Sequence, residues 1–515
     1  MKDSQNQSKE KFLAEIERLK KELKRKKRYG LVWEEKTEDV VELCKEKLPV
    51  LKEVQSKEII TDKDKPVNLL IEGDNYHALS VLNYTHAKKI DVIYIDPPYN
   101  TGNKDFIFND CYVDKEDAYR HSKWLAFMEK RLKLAKNLLK DNGMIFISID
   151  DNEVAQLKLL MGYPDLFGEE NFRNIIVVSR VKKNIQERDY VKTLNLGHSF
   201  ILFYGKSKST IDIPVKYQKK LERWHAFDAP GVRLTMEYKL FSHRPPKRRH
   251  WMFEKSKAEE LTKKGLLRPN PKTGKPQYKL EASDKTRLDT NWTDLIEGSS
   301  KWKFENGEKN IELIKRIIKM HPQKDVIVLD FFAGSGTTGN AVLELNKEDS
   351  GNRKFILCTN NENNNGNGYK IAADICYPRI KKVIKGYKDK PSLGGNLKYF
   401  KTDFVDAEPT DKNKIRLTEQ ATEMLCIKEG TFQEIENRVN FKIFKNTNHY
   451  TGIIFDQSAI PAFKKAIKGI KGKFSVYVFS LGDETFDDEF KDVKQRIKLS
   501  PIPEAILRVY RRIFK

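Results

Sequence analysis

The stretch DVIYIDPPYN, residues 91–100, joins an apolar run to a short polar motif. Its first part is typical of a buried strand, and that strand ends on the carboxylate of Asp96. Pro97 and Pro98 follow at once, and neither can donate a backbone hydrogen bond, while each fixes its own φ angle. Tyr99 completes the motif. A core strand that ends in a charge beside two rigid residues indicates a carboxylate that acts on a ligand.

Strand-like and helix-like patterns alternate on both sides of this stretch. The apolar runs that predict strands are VNLLIEGD, IDVIYID, MIFISID, DVIVLDFF and RKFILCTN. The amphipathic runs that predict helices are NYHALSVLNYTHA, KEDAYRHSKWLAFMEKRLKLAKNLLKDNG, NEVAQLKLLM and EKNIELIKRIIKMH. Alternation of this kind predicts an α/β fold with a doubly wound, Rossmann-like parallel sheet.

The alternation stops after about residue 206 and returns near residue 301, so we expect an insertion within one α/β domain. Five segments follow from this reading. They are a basic helical arm (1–30), a first part of the α/β domain (31–206), an inserted basic region (207–300), a second part of the α/β domain (301–388) and a small α+β C-terminal domain (389–515). Within the arm, Phe12, Ile16, Leu19 and Leu23 form a short apolar stripe at helical spacing.

A second motif, VIVLDFFAGSGTTG at residues 326–339, lies in the second part of the α/β domain. A buried strand ends at Asp330, and Gly334 and Gly336 then permit a tight turn before a helix. Open α/β sheets bind nucleotides and related cofactors at such a turn. No lysine follows the glycines as a P-loop requires, and the dinucleotide pattern GxGxxG is absent. An acid at this strand end suits a cofactor with a cationic or hydroxyl-rich end, and S-adenosylmethionine has both.

The chemistry of amine methylation explains the first motif. An exocyclic amine on a nucleobase is a poor nucleophile, because its lone pair is conjugated into the ring. Two acceptors aimed at its N–H bonds favour the tetrahedral geometry that methyl transfer needs and disperse the developing positive charge. Asp96 can supply one acceptor and the carbonyl of Pro97 the other. Tyr99 can stack on the base, which contributes about 1–3 kcal/mol in single-strand binders.

Composition narrows the partner and the compartment. The 515 residues include 97 Lys+Arg and 74 Asp+Glu, a formal net charge of +23, and this predicts a polyanionic partner, with nucleic acid the commonest one. The five cysteines and nine histidines show no CxxC or HExxH spacing, so we expect no metal site. No apolar run is long enough to span a membrane and no signal peptide is recognisable, which predicts a cytoplasmic protein.

Taken together, DPPY and FAGSGTT resemble the motifs of DNA amino-methyltransferases that use S-adenosylmethionine. Their order, with DPPY first and a basic region before the Gly-rich loop, resembles the β class. The wider stretches LLIEGDNYHALSVL, DVIYIDPPYNTGNKDFIFND and EKNIELIKRIIK are similar to modification subunits of Type III restriction–modification systems. This resemblance covers about 67–206 and 291–387. It implies an adenine-specific enzyme that methylates N6 of a base flipped out of double-stranded DNA.

The resemblance also implies roles for particular residues. Asp96, Pro97, Pro98 and Tyr99 would be catalytic. The predicted cofactor-binding residues are Asp74 for the adenine ring, Lys309 in a K-x-x-E-L context, and Asp330, Phe332, Ala333, Gly334, Ser335, Gly336 and Thr337 for the methionine end. The family's ribose-binding acid, which follows the FIL strand, is either Glu362 or absent, with an asparagine in its place.

The inserted basic region would be the target-recognition region. Its cluster HRPPKRRHW mixes cations with aromatic residues, which phosphate and base contacts require. The predicted DNA-binding residues are Arg244, Lys247, Arg248, Arg249 and Trp251. The resemblance further implies a homodimer and a restriction subunit, a helicase or nuclease on another chain, as partners.

Three alternatives remain open from the sequence. An N4-cytosine methyltransferase would use the same acceptor geometry, although such enzymes usually resemble Ser-Pro-Pro-Tyr rather than Asp-Pro-Pro-Tyr. A catalytically silent DNA-binding subunit would not need intact Asp96, Tyr99 and both loop glycines. An NAD-dependent oxidoreductase would need the GxGxxG pattern that the chain lacks.

Overall fold

The computed structural model describes residues 33–62, 65–102, 105–180, 194, 196–208, 215–299, 308–361, 370–387, 390–447, 449–482, 484 and 486–514. The chain divides into two compact units, Met1–Ile211 with Thr290–Lys515, and Asp212–Asp289. The predicted apolar stripe from Phe12 to Leu23 lies outside the described residues.

The first part of the larger unit alternates strands with helices, as its sequence pattern predicts. Its elements are α1 (Asp39–Glu46), β1 (Lys47–Glu53), β2 (Val67–Glu72), α2 (Asn75–Thr85), β3 (Ile90–Ile95), β4 (Ile107–Phe108), β5 (Cys111–Tyr112), α3 (Arg120–Leu138), β6 (Leu139–Ile149), α4 (Val154–Met161), β7 (Phe172–Ser179) and β8 (His198–Gly205).

The smaller unit is built from short antiparallel pairs. Its elements are β9 (Val215–Lys220), β10 (Arg223–Ala226), β11 (Asp228–Pro230), β12 (Arg249–Trp251), α5 (Lys255–Lys263), β13 (Leu267–Pro269), β14 (Pro276–Leu280) and β15 (Ser283–Arg287). Its core gathers Phe227, Trp251, Ala258 and Leu267. The bounds of this unit fall inside the predicted insertion, 207–300.

The chain then returns to the larger unit and completes its sheet. The elements are β16 (Asn291–Ile296), β17 (Gly298–Ser299), β18 (Glu308–Lys309), α6 (Ile311–Ile318), β19 (Ile327–Asp330), α7 (Thr337–Asp349), β20 (Lys354–Thr359), α8 (Tyr377–Lys385) and β21 (Asn396–Asp406). A π-helical turn, Ile371–Cys376, precedes α8.

The large sheet has the order β1-β21-β2-β20-β19-β3-β6-β8-β7-β16. The strands from β21 to β6 in this order run parallel, and β1 and β8 are antiparallel to their neighbours β21 and β6. All six residues of β3 are buried, as expected of a strand covered by helices on both faces. The predicted doubly wound α/β fold is confirmed.

The C-terminal part carries a sheet of its own. Its elements are α9 (Asp411–Glu419), α10 (Thr422–Glu429), β22 (Gln433–Asn437), β23 (Phe441–Lys445), β24 (His449–Ile454), α11 (Ile460–Ile467), β25 (Lys473–Phe479), β26 (Ile497–Ile502) and α12 (Glu504–Ile513). The five strands lie in numerical order.

The C-terminal part and the large sheet belong to the same compact unit. The hydroxyl of Tyr510, on α12, donates to the carbonyl of Pro49, on β1, at 2.5 Å. Strand β21, which the sequence places in the C-terminal domain, is hydrogen bonded between β1 and β2 in the large sheet. Its strand pattern was readable, whereas its partner strands are distant in sequence.

Candidate active site at the carboxyl ends of the parallel strands

Four loops meet where β2, β20, β19 and β3 end. The amide of Gly73, after β2, donates to Thr359 O at 3.0 Å, and the amide of Ala333, after β19, donates to Cys358 O at 3.1 Å. The Asn75 side chain, in the first turn of α2, donates to Phe331 O at 3.0 Å. The parallel pairing therefore brings the DPPY motif and the Gly-rich loop to one edge, which is where open α/β sheets bind ligands.

The backbone of the DPPY motif is hydrogen bonded to a buried tryptophan. The indole Nε1 of Trp124, a fully buried residue of α3, donates to the Pro98 carbonyl at 2.8 Å. The side chain of Asp96, one residue past β3, remains 27% exposed. The backbone of the motif is thus held by the core while its carboxylate faces the edge.

Asp96 is paired with a lysine that arrives from much later in the chain. Lys309, the last residue of β18, places Nζ 3.0 Å from Asp96 Oδ1. The same Nζ donates to the Tyr99 hydroxyl at 2.6 Å. Lys309 was predicted to bind the cofactor, and the structure brings it together with two residues of the DPPY motif.

A second carboxylate, Glu297, completes this cluster. It directly precedes β17, and β17 pairs with β18, which sets Glu297 beside Lys309. Lys309 Nζ donates to Glu297 Oε1, as does the Tyr99 hydroxyl at 2.7 Å. Ser199, on β8, donates to Oε2 at 2.6 Å. We call Asp96, Tyr99, Glu297 and Lys309 the acceptor cluster.

The pKa values of the acceptor cluster reflect burial and mutual charge. Burial raises the pKa of Asp96, and Lys309 counteracts this only in part. Burial also opposes the ionisation of Glu297, yet the charge of Lys309 and the hydrogen bonds that Glu297 accepts lower its pKa to about 2. The pKa of Lys309 is raised, because its two carboxylate partners outweigh burial. Glu297 and Lys309 are therefore an ion pair at neutral pH.

The Gly-rich loop is organised around Asp330. One carboxylate oxygen accepts from the Phe332 amide at 3.1 Å and the other from the Thr338 hydroxyl at 2.5 Å. Burial raises the pKa of Asp330 to about 7, since its hydrogen-bond donors here are neutral. Gly336, with φ +79°, is the N-cap of α7, and a Cβ there would lie 2.9 Å from Cys376 Sγ. The turn thus requires glycine on both backbone and packing grounds.

A buried arginine fixes the end of the loop. Arg379 Nη1, from α8, donates to the hydroxyls of Ser335 and Thr337, each at 2.9 Å. It also lies 3.3 Å from Glu308, which precedes Lys309 in β18. The Gly-rich loop and the strand that carries Lys309 are therefore tied to one guanidinium. Among the other predicted cofactor residues, Ala333 is buried and Phe332 and Gly334 are half-buried.

Asp74 lies at the same edge as the N-cap of α2. Its carboxylate accepts from the Tyr76 amide at 2.7 Å and lies 3.4 Å from the buried guanidinium of Arg131. It remains partly exposed, so it can also face a ligand. Glu362, the predicted candidate for the ribose, lies outside the described residues.

The predicted DNA-binding residues divide into two groups within the smaller unit. Arg244, Lys247 and Arg248 are exposed. Arg249 is half-buried and pairs with Asp228. Trp251 is 2% exposed and donates its indole N–H to Tyr238 O at 2.7 Å, so its ring packs in the core of this unit.

Sequence reasoning missed Glu297 and Ser199. The only sequence signal for Glu297 is an isolated acid in a stretch predicted to recognise DNA. It also missed a buried carboxyl behind DPPY. Glu153 accepts from the Asn100 amide at 2.5 Å, and its Oε1 lies 2.6 Å from His121 Nδ1. Burial raises the pKa of Glu153 to about 8, so it is largely neutral at pH 7. Asn100, at φ +57°, is thereby fixed directly after Tyr99.

Within the described residues, no three His, Cys, Asp or Glu side chains are grouped to hold a metal ion. A membrane-crossing helix, long and apolar enough for a bilayer, is likewise not found among those residues.

Relatives of known type share much of this chain. The Mod subunit of the Type III restriction-modification enzyme StyLTI of Salmonella typhimurium is 33% identical over 389 residues, 64% of this chain and 59% of that protein. The Type II methyltransferase M.KpnI of Klebsiella pneumoniae is 32% identical over 373 residues, 62% and 88%. The EcoPI Mod subunit of Escherichia phage P1 is 30% identical over 408 residues, 62% of each. The chain spans about three fifths of the Type III relatives.

The DNA methylase family model matches residues 90–365. That span starts with β3, crosses the inserted unit and ends after β20, so it contains both the acceptor cluster and the Gly-rich loop. More than half of the sequence is covered, and by this match the chain belongs to the DNA methylase family.

Proposed function

We propose that this protein transfers a methyl group from S-adenosylmethionine to N6 of an adenine flipped out of double-stranded DNA. The observation that carries the proposal is the position of Asp96. Its partly exposed carboxylate directly follows β3, beside the strand that leads into the Gly-rich loop. The acceptor and the predicted cofactor loop therefore belong to neighbouring strand ends.

The residues at this edge fit S-adenosylmethionine chemically. Asp74 offers a partly exposed carboxylate for the cofactor's adenine, and the Gly-rich loop with the half-buried Phe332 offers a turn for its methionine end. When bound, the cofactor would supply an electrophilic methyl group on a sulfonium sulfur.

Asp96 and Pro97 act on the substrate amine. Their oxygens would accept hydrogen bonds from its two N–H groups and favour a tetrahedral nitrogen. Once the cofactor's methyl group had passed from sulfur to this nitrogen, the surplus proton would leave the nitrogen, with Asp96 the nearest base. Tyr99 would stack on the flipped base and keep it in line.

Adenine is favoured over cytosine by the identity of residue 96. With an aspartate at this position the motif resembles that of N6-adenine enzymes, whereas N4-cytosine enzymes usually have a serine there. The test is incubation of the purified protein with isotope-labelled S-adenosylmethionine and mixed-sequence duplex DNA, followed by nucleoside mass spectrometry. Labelled N6-methyladenine is expected. Labelled N4-methylcytosine would overturn the base assignment. The absence of any labelled nucleoside would overturn the proposed function.

The smaller unit is proposed to recognise the DNA sequence. Arg244, Lys247 and Arg248 are exposed on one short loop, and the whole chain carries a net charge of +23. Exchange of residues 212–289 for the matching segment of a relative should change the methylated sequence and keep the methylated base. Retention of the original sequence would place recognition elsewhere.

A modification subunit of a Type III system, acting in the cytoplasm as a homodimer with a restriction subunit as partner, is the corresponding biological role. Similarity to three Type III Mod subunits at 27–33% identity supports it. Sedimentation at moderate salt should give a dimer. A monomer at micromolar concentration, both free and on DNA, would rule the dimer out.

A further inference from the structure

In the acceptor cluster, the Lys309 ammonium and the proposed substrate amine would both bind to the Asp96 carboxylate. The methyl-transfer chemistry alone does not require the contact with Lys309. The Lys309 ammonium lies 3.0 Å from Asp96 Oδ1, an oxygen that is itself buried although the Asp96 side chain as a whole is 27% exposed. An ammonium that stayed there would weaken Asp96 as an acceptor for the substrate amine, because both draw on the negative charge of one carboxylate. The lysine is 13% exposed, so water offers it little alternative solvation.

Glu297 supplies that alternative. Its carboxylate is also bonded to Lys309 and, unlike Asp96, is 8% exposed and held by two hydroxyls, those of Ser199 and Tyr99. Three groups, Asp96, Tyr99 and Glu297, thus share the Lys309 ammonium. Glu297 can keep the ammonium within the cluster when Asp96 turns to a substrate.

We propose that Glu297 is a positioning residue that holds Lys309 and the Tyr99 hydroxyl beside Asp96 and retains the Lys309 ammonium when the substrate amine binds to Asp96. This inference rests on the proposed function. Glu297 need not touch the reacting atoms, and it acts through the lysine. Without its charge, Lys309 would be bound more tightly to Asp96, and base entry would be opposed.

A double-mutant cycle tests whether Glu297 acts through Lys309. Glu297→Gln keeps the size of the side chain and removes its charge, and kcat/KM for DNA should fall at least about tenfold. In a Lys309→Met background the same change should alter kcat/KM by less than about twofold, since no ammonium remains to be held. If Glu297→Gln lowered kcat/KM by the same factor in the wild type and in Lys309→Met, the proposal would be overturned.

A matched variant separates charge from packing. Ser199→Ala removes the hydrogen bond to Oε2 and leaves the Glu297–Lys309 contact in place, so its loss of kcat/KM should be clearly smaller than that of Glu297→Gln. Glu297→Asp, which restores the charge, should recover part of the activity. An equal loss in all three variants would indicate a packing role and contradict the proposal.

Chemical labelling of Lys309 gives a readout that does not depend on methyl transfer. An amine-directed acylating reagent is applied to the full-length wild type and to Glu297→Gln across a pH series, and the peptide containing Lys309 is quantified by mass spectrometry. Both carboxylates raise the pKa of Lys309, so the variant should become reactive at lower pH. Unchanged labelling would overturn the proposal, even where Lys309→Met leaves no measurable turnover.

The labelling and methylation experiments distinguish a failure of the proposed function from a failure of the inference about Glu297. A wild type that methylates no DNA removes the proposed function, while a shifted labelling profile still establishes the hold of Glu297 on Lys309. In an active enzyme, the acid limb of the kcat/KM profile supplies a third readout. Glu297 raises the pKa of Asp96 beyond the effect of burial, so this limb should move to lower pH in Glu297→Gln.

Discussion

Asp96 and Asp330 end neighbouring parallel strands, and their surroundings give them different tasks. Asp96 directly follows its apolar strand and precedes an irregular segment, and Asp330 is the last residue of its apolar strand and precedes a turn. Asp96 meets a cation, Lys309, and keeps an exposed side, whereas both oxygens of Asp330 are engaged by its own loop. The comparison teaches that a carboxylate at a strand end can face the substrate or build the turn, and its partners decide which.

The largest expected effect comes from Asp96. Asp96→Asn keeps the shape and weakens the acceptor, so methyl transfer should fall about 100- to 1,000-fold, the usual cost of removing one pre-placed group at a reacting centre. Cofactor affinity, measured by calorimetry, should change little, because the acceptor acts mainly in the transition state. Turnover above about a tenth of the wild-type value would contradict its role.

A change at Thr338 tests the role of Asp330 in building the turn. Thr338→Val removes the hydroxyl that satisfies Asp330 Oδ2, so the free energy of unfolding should fall by about 1–3 kcal/mol, the cost of an unsatisfied buried polar group. Urea unfolding measures this. The control is Thr418→Val, because its buried hydroxyl donates only to the Lys414 carbonyl of the same helix, and it should cost less. Equal losses of stability in Thr338→Val and Thr418→Val would show that the hydrogen bond to the Asp330 carboxylate contributes no more than one to a helix carbonyl.

Asp330 should also leave a signature in the pH dependence of stability. Its folded pKa, about 7, lies above the ordinary 3.8, so folding favours the protonated form. The stability gained is fully present below about pH 4 and is lost as pH rises through 7. Across that window, wild type and Asp330→Asn should differ in slope by at most about 1.4 kcal/mol per pH unit. Parallel curves would show that Asp330 is ionised throughout.

The smallest expected effect links the two aspartates. Asp96 raises the pKa of Asp330 slightly, after the larger effect of burial and against two hydrogen bonds. Asp96→Asn should therefore lower the pKa of Asp330 by a small amount, measurable by carboxyl carbon NMR. A rise, or no shift, would show that the strand ends are electrostatically independent.

The alternating α/β pattern, the two motifs at strand ends and the basic insertion could all be predicted from the sequence. These are local properties, because apolar periodicity, glycine at a positive φ and proline after a strand are written within a few residues. Asp96 and Asp330 could be selected this way. The role of Trp251 could not, because an aromatic residue among cations is equally suited to a core and to DNA.

The contacts between distant side chains could be known only from the folded chain. Glu297 and Lys309 reach Asp96 from far along the chain, through the pairing of β17 with β18. Likewise β21 joins β1 and β2 although its sequence is separated from theirs by most of the domain. Such contacts depend on strand order, which no single segment encodes, and a pKa follows from burial and from partners that only the folded chain assembles.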